Sequence, residues 1–200
     1  MPIKTQEMIH HFFDINAGKE FIRFGMHSSI NFKFRYKYYF NMTNKLIGTN
    51  RKFRKITLAL SVLGQQIDGI NRAKKNSSIE FKKGTNWFSI TDDLARYILE
   101  KQDWIEETFH STYCCDEVFL QTIVHNSKFK NHLFHAEYDS SCFSNMRLID
   151  WGRGRPYIFQ SEDYEELINS PYLFARKFDE NIDGQIIQRL YDYIAGGKKN

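Results

Sequence analysis

Apolar side chains recur along this chain at intervals of three and four residues, and each such stretch predicts a helix packed on one side. Met8, Ile9, Phe12 and Phe13 follow Thr5, a residue type that caps helix starts, with Glu7 in the first turn. Ile56, Leu60, Leu63 and Ile67 mark one face of a long helix from about Phe53 to Ile70, weakened by Gly64 and Gly69. Thr91 caps a further helix, with Asp92 and Asp93 in its first turn and Leu94, Ile98 and Leu99 turned inward. Trp104, Ile105 and Phe109 predict a short one. Ser161 opens a helix running through Ile168, and Ile182, Ile186, Ile187, Leu190 and Ile194 form the last, ended by the glycines of A-G-G-K-K-N.

Other stretches alternate with a period of two or are short apolar runs, which predicts strands: Gly18 to Phe24, Asn86 to Ile90 and Met146 to Trp151. Residues 31 to 50 interleave aromatics with bases. They read as an amphipathic strand, with Phe32, Phe34, Tyr36 and Tyr38 inward and Lys33, Arg35 and Lys37 outward, in preference to a surface that stacks on nucleobases or sugars. G-R-G-R-P, from Gly152 to Pro156, reads as a flexible, doubly basic turn. Strands and helices in alternation indicate an α/β fold with a mixed sheet, which names no reaction by itself.

The segment from Thr112 to Asn126 carries the most chemistry. Asp116 and Glu117 stand at the head of a helical apolar run, Val118, Phe119, Leu120, Ile123 and Val124. Either the pair caps the helix and complements its dipole, the commoner use of such acids, or a carboxylate is held there for chemistry.

Composition narrows the setting. Two hundred residues, 42% hydrophobic and 16% aromatic, bury one substantial core, so residues 1–200 form a single domain or part of a larger one. No run of 18 apolar residues spans a membrane and no secretory leader is visible, which places the chain in the cytoplasm. Cys114, Cys115 and Cys142 suit neither a disulfide framework nor a zinc site and read as free thiols. The adjacent His10 and His11 point in different directions on a helix and read as surface residues. Charge is uneven: nine Lys or Arg and no acid lie between Phe21 and Ile67, while the other 19 of the 28 bases face all 24 acids. That asymmetry predicts an anionic partner for the first third.

Five stretches, in order, are Pro2 to Gln6 (P-I-K-T-Q), Gly84 to Thr91 (G-T-N-W-F-S-I-T), Cys115 to Thr122 (C-D-E-V-F-L-Q-T), Arg147 to Trp151 (R-L-I-D-W) and Leu173 to Asp179 (L-F-A-R-K-F-D). Together they resemble the Core-2/I-branching family of glycosyltransferases, which includes the protein xylosyltransferases. The resemblance implies a GT-A-like glycosyltransferase domain and inverting transfer from UDP-N-acetylglucosamine, or UDP-xylose, to an acceptor hydroxyl. It further implies no cofactor and no divalent metal, and as partners a UDP-sugar and a glycan or glycoconjugate acceptor in cell-surface glycan synthesis. Nucleic acid is not among them.

In such a transfer one base takes the acceptor proton through an oxocarbenium-like transition state. The family's base corresponds to Glu117. A helix start lowers a carboxylate's pKa, so burial against Val118, Phe119 and bound sugar has to offset the dipole. The departing diphosphate needs cations, and Lys177 matches the family's phosphate contact, with Arg176 beside it and Arg153 or Arg155 matching loosely. Trp151 resembles the acceptor-side tryptophan. Cys115 departs from the proline usual before the acidic pair. A nucleotide-binding segment, on the order of a hundred residues, precedes P-I-K-T-Q in the family and is missing from this sequence, so the chain is expected to be a fragment, or a bacterial relative read from a late start. It is expected in the cytoplasm or peripherally at the inner face of the membrane. The alternatives are a non-catalytic protein that holds nucleic acid or an anionic surface with residues 21–67, and an inactive truncated remnant.

Overall fold

The computed structural model describes residues 1–25, 30–41 and 48–196; Lys45 and the closing 197–200 lie outside the described residues. In chain order the elements are α1 (Gln6–Ile15), β1 (Phe21–Phe24), α2 (Ile30–Lys37), α3 (Arg51–Ile67), β2 (Gly84–Ser89), α4 (Asp92–Glu100), α5 (Gln102–Phe109), α6 (Phe119–His125), β3 (Arg147–Ile149), α7 (Tyr164–Asn169), β4 (Phe174–Arg176) and α8 (Glu180–Ile194). The fold is mixed α/β with small sheets. Among the described residues the predicted mixed sheet is divided: β1 and β2 pair antiparallel, β3 and β4 pair parallel. The N-terminal residues run along β4, where Ile3 N donates to Leu173 O at 2.9 Å and Pro2 bridges Phe174.

Helix starts follow the capping residues. Thr5 accepts from Met8 N at 3.3 Å, and Thr91 accepts from Leu94 N at 3.2 Å. Thr91 also holds the fully buried Glu20, donating its hydroxyl at 2.6 Å and its backbone N–H at 2.9 Å. Those bonds meet the cost of burying a carboxylate and fix α4 against the chain entering β1. Ile22, Phe24, Leu94, Leu120 and Val124 then close one core beneath β1 and β2. Ile3, Phe159, Leu167, Ala175, Ile186 and Leu190 close a second around β4. Each large apolar side chain fully buried this way contributes about 1.5–3 kcal/mol.

Several expectations are corrected. Residues 30–37 form a helix where alternation predicts a strand, because Phe32 and Tyr36, four apart, also share a helical face. Their rings lie 5.2 Å apart, and Tyr36 stacks on Phe81 at 4.1 Å, so helical packing wins over the period-two reading. Ser161 does not cap: Gln160 N donates to Asp163 Oδ2 at 2.8 Å at the start of the turn that leads into α7, and Ser161 faces Asp183, whose Oδ2 accepts from Ser161 N at 2.7 Å. The G-R-G-R-P turn is braced by Asp150, whose Oδ1 accepts from Gly152 N at 2.7 Å and Arg153 N at 3.0 Å. Helix α3 forms as predicted, but its apolar face is exposed and no residue of it is fully buried.

Gly84 opens β2 where another side chain has no room. A Cβ there would sit 1.8 Å from Arg23 O and 2.6 Å from Gln121 Nε2. Backbone cannot rotate aside, so Gly84→Ala is expected to cost about 3 kcal/mol by urea unfolding; an unchanged midpoint would show that β1 and β2 part easily.

Candidate active site

Glu117 lies in a single 3-10 turn, Cys115–Glu117, one residue ahead of α6, with Cys114 before it in the left-handed region at φ 51°. The acidic pair therefore precedes the helix by a turn; Val118, at φ −127°, separates the two. Glu117 is half-exposed and its Oε2 accepts from Arg35 Nη1 at 2.6 Å. Arg35 comes from α2, 82 residues earlier, and lies 5.6 Å from the centre of the Tyr113 ring. Oε1 of Glu117 has no hydrogen-bond partner among the described residues, so one oxygen is anchored and the other is open to a donor. Its neighbour Asp116 accepts from Asn86 Nδ2 at 2.8 Å and is thereby tied to β2.

Strand β2, itself one of the five sequence stretches, touches three of the others, while Pro2 to Gln6 runs along β4 instead. Gln121, beyond the acidic pair, donates to Thr85 O at 2.8 Å. Arg147 at the start of β3 donates to Phe88 O at 2.9 Å and Ser89 Oγ at 3.0 Å, while its guanidinium lies over the Phe174 ring at 4.9 Å. Burial pushes that guanidinium's pKa below its ordinary value. The Arg176 guanidinium stacks over Trp87 at 4.5 Å.

The proposed phosphate and acceptor groups gather at the carboxyl ends of the parallel pair. Ile149 pairs with Arg176, so Trp151 and Lys177 both follow the same edge. The intervening turn folds back onto it, with Lys177 N donating to Tyr157 O at 3.3 Å and Phe159 N to Lys177 O at 2.9 Å. Ligands of α/β proteins sit at such carboxyl ends. The Lys177 backbone is thus pinned while its exposed ammonium makes no hydrogen bond or ion pair with a described residue. Trp151 is 59% exposed and presents a bare face.

Arg153 is fully committed. Its guanidinium meets Asp150 at 2.5 Å, Asp163 at 2.6 Å and Glu166 at 3.1 Å, and covers the Tyr157 ring at 4.3 Å. These carboxylates, Asp150 first, push its pKa up, and Arg153 in turn holds Asp150 below the usual carboxylate range. Arg155, by contrast, is exposed and forms no ion pair among the described residues. Of the two arginines left open by the sequence, Arg155 is the one free to meet an anion.

The backbones of Trp151, Arg176 and Lys177 therefore follow one edge, and Arg155 stands on the turn that folds back to it. Glu117 makes no ion pair with any of these cations, and the tie between the two groups is indirect: Asn86 holds Asp116, while the next residue, Trp87, whose side chain turns to the other face of the strand, carries Arg176. Sequence reasoning missed Arg35, Asn86 and Trp87. The acid-free basic stretch pointed toward Arg35, and G-T-N-W-F-S-I-T contains the other two.

A cleft of about 700 Å³ beside α3 adds Arg51, Arg54 and Lys55 to Arg35 and Tyr113. Elsewhere, His135, Glu137 and Asp139 bring potential metal-ligand atoms within 4.8 Å of one another, with His135 and Asp139 already hydrogen-bonded at 3.0 Å.

The sequence matches the family described as Core-2/I-Branching enzyme over residues 1–167. It is 26% identical to Xylosyltransferase sqv-6 of Caenorhabditis briggsae over 141 residues, covering 62% of this chain and 18% of that protein. It is 22% identical to Xylosyltransferase 2 of Rattus norvegicus and of Homo sapiens over 210 residues, covering 98% of this chain and 22% of each of them. The chain spans about a fifth of the length of these curated relatives.

Proposed function

Since the chain belongs to the Core-2/I-branching enzyme family, we propose that it forms the acceptor-side and phosphate-side part of an inverting, UDP-sugar-dependent glycosyltransferase of GT-A-like fold. Glu117 takes the proton of an acceptor hydroxyl as that oxygen attacks the anomeric carbon. The bond from that carbon to the diphosphate oxygen breaks on the opposite face, and UDP departs with the electron pair. Lys177, Arg176 and Arg155 offset the charge that grows on the diphosphate. Trp151 offers its open face to an acceptor sugar ring. Arg35 is a positioning residue that holds one oxygen of Glu117 and leaves the other toward the acceptor.

The observation that carries this reading is the half-exposed Glu117, with one oxygen held by Arg35 Nη1 at 2.6 Å and the other without a hydrogen-bond partner among the described residues. The resemblance to the branching enzymes favours N-acetylglucosamine as the transferred sugar. The names of the relatives move the preference to xylose, and a glycan or glycoconjugate remains the proposed acceptor.

A donor panel tests it. The chain, and any longer polypeptide that contains it, is incubated with UDP-xylose, UDP-N-acetylglucosamine and other UDP-sugars, with and without EDTA. Turnover of one of the first two, insensitive to the chelator and giving the inverted anomer by NMR, is the expected result. Retention of configuration, or no UDP-sugar turnover by any form, would overturn the reading.

A further inference from the structure

Helix α3 is a 17-residue helix whose apolar stripe faces solvent. Phe53, Ile56, Leu60, Leu63 and Ile67 recur at three- and four-residue spacing and are 57%, 60%, 63%, 51% and 78% exposed. Isolated exposed leucines are ordinary; five large apolar side chains on one continuous stripe are not. The helix is moored on another face by Gln65, whose Oε1 accepts from Tyr39 N at 2.8 Å and whose Nε2 donates to Tyr39 O at 2.9 Å. The stripe is therefore held outward by the rest of the molecule.

The charge beside the stripe has one sign. Arg51, Lys52, Arg54 and Lys55 are four of the first five residues, Lys52 directly beside the stripe and the other three toward the cleft with Arg35, and α3 contains no acid. Nor does any residue from Phe21 onward to Ile67 carry one. A bare apolar stripe with cations at its flank and no anions is the pattern of a helix that lies in the plane of a bilayer surface, with its apolar side among the acyl chains and its bases at the headgroups. Nucleic acid fits less well. It has no use for the stripe, and Phe32 and Tyr36, the aromatics of the same basic region best suited to stack on bases, are packed against Phe81 and each other.

We propose that α3 docks the protein on an anionic lipid surface, inserting Phe53, Ile56, Leu60, Leu63 and Ile67 while Arg51, Lys52 and Lys55 meet lipid phosphates. The proposal stands on the helix alone and is independent of the glycosyltransferase reading. Docking by α3 weakens with salt because it draws on the attraction between its bases and anionic headgroups.

The test is vesicle co-sedimentation. Vesicles of phosphatidylcholine with about a third phosphatidylglycerol are compared with phosphatidylcholine alone, at low and high NaCl. Expected is binding to the anionic vesicles that weakens at least about tenfold in high salt. The double variant Leu60→Glu with Leu63→Glu should lose about tenfold or more of that binding. Both side chains are exposed, so its thermal unfolding should match the parent's. Ile182→Glu, at a 54% exposed position on α8, should bind as the parent does. Equal binding by the Leu60/Leu63 variant and the parent would overturn the proposal. So would absence of binding to anionic vesicles, or a stripe-dependent dimer in light scattering, which would make a second copy the occupant.

Discussion

Glu117→Gln is expected to lower kcat for sugar transfer by about 10²–10⁴-fold while leaving UDP affinity nearly unchanged, the range that loss of a positioned general base produces. The substitution is close to isosteric. An amide oxygen can still accept from Arg35 Nη1, which lies 2.6 Å from the carboxylate, so the side chain keeps its anchor. What disappears is the capacity to take a proton at the oxygen turned away from Arg35. The affinity for UDP is governed by other residues in this reading, which makes the split between kcat and UDP binding diagnostic. A variant that turns over at a substantial fraction of the parent's rate would remove Glu117 from the reaction and leave it as the ion-pair partner of Arg35.

That ion pair also shows where the sequence stops being readable. Helix starts are legible because capping is local: Thr5 and Thr91 each accept from the N–H three residues on. The apolar helix after the acidic turn is legible from its periodicity instead, since α6 follows Val118 with no side-chain cap and the acids do not cap it. The partner of Glu117 is not, because 82 residues separate it from Arg35 and nothing local couples them. Residues 31–40 mislead the period-two reading for a geometrical reason. A pattern alternating every second residue also repeats every fourth, so Phe32 and Tyr36 satisfy strand and helix alike until Phe81 arrives as a stacking partner. The G-R-G-R-P turn misleads in the same way. Its glycines suggest mobility, whereas Gly154 is required by close approach, since a Cβ there would lie 2.6 Å from Tyr157 Cα. The apolar residues of α3 do form a stripe, but not a buried one. Periodicity reports amphipathicity, not which neighbour covers it.

The strand hub is invisible in the sequence for a further reason. The five stretches read as separate signatures, and only the folded chain brings three of them onto β2, which is the fourth. Asn86, Trp87, Phe88 and Ser89 hold three distant segments between them, through a side chain to Asp116, a ring under Arg176, and a carbonyl and a hydroxyl that both meet Arg147. A short strand that gathers this many long-range contacts positions chemistry it does not itself perform.

The cations at the other end of that arrangement separate into two kinds, and Lys177→Met is expected to distinguish them. It should reduce kcat by about 10²–10³-fold, the loss typical when one preorganised charge-stabilising group is removed, with the unfolding midpoint unchanged. The ammonium makes no hydrogen bond or ion pair with a described residue, while Tyr157 O and Phe159 N fix the backbone on which it stands. Arg153→Met should do the reverse. It leaves Asp163, only 4% exposed, without its guanidinium, and separates Asp150 and Glu166 from a shared cation. Arg153 itself is 41% exposed, so solvent screening reduces the penalty below that of a fully buried pair, to about 1–2 kcal/mol. Turnover per folded molecule should stay near the parent's. Urea unfolding and steady-state kinetics on both variants give four numbers, and the assignment requires them to cross: Lys177 slow and stable, Arg153 fast and unstable. If Arg153→Met is the slower enzyme at equal stability, the three carboxylates release that arginine to the diphosphate, and Arg153 takes the phosphate-binding role in place of Arg155.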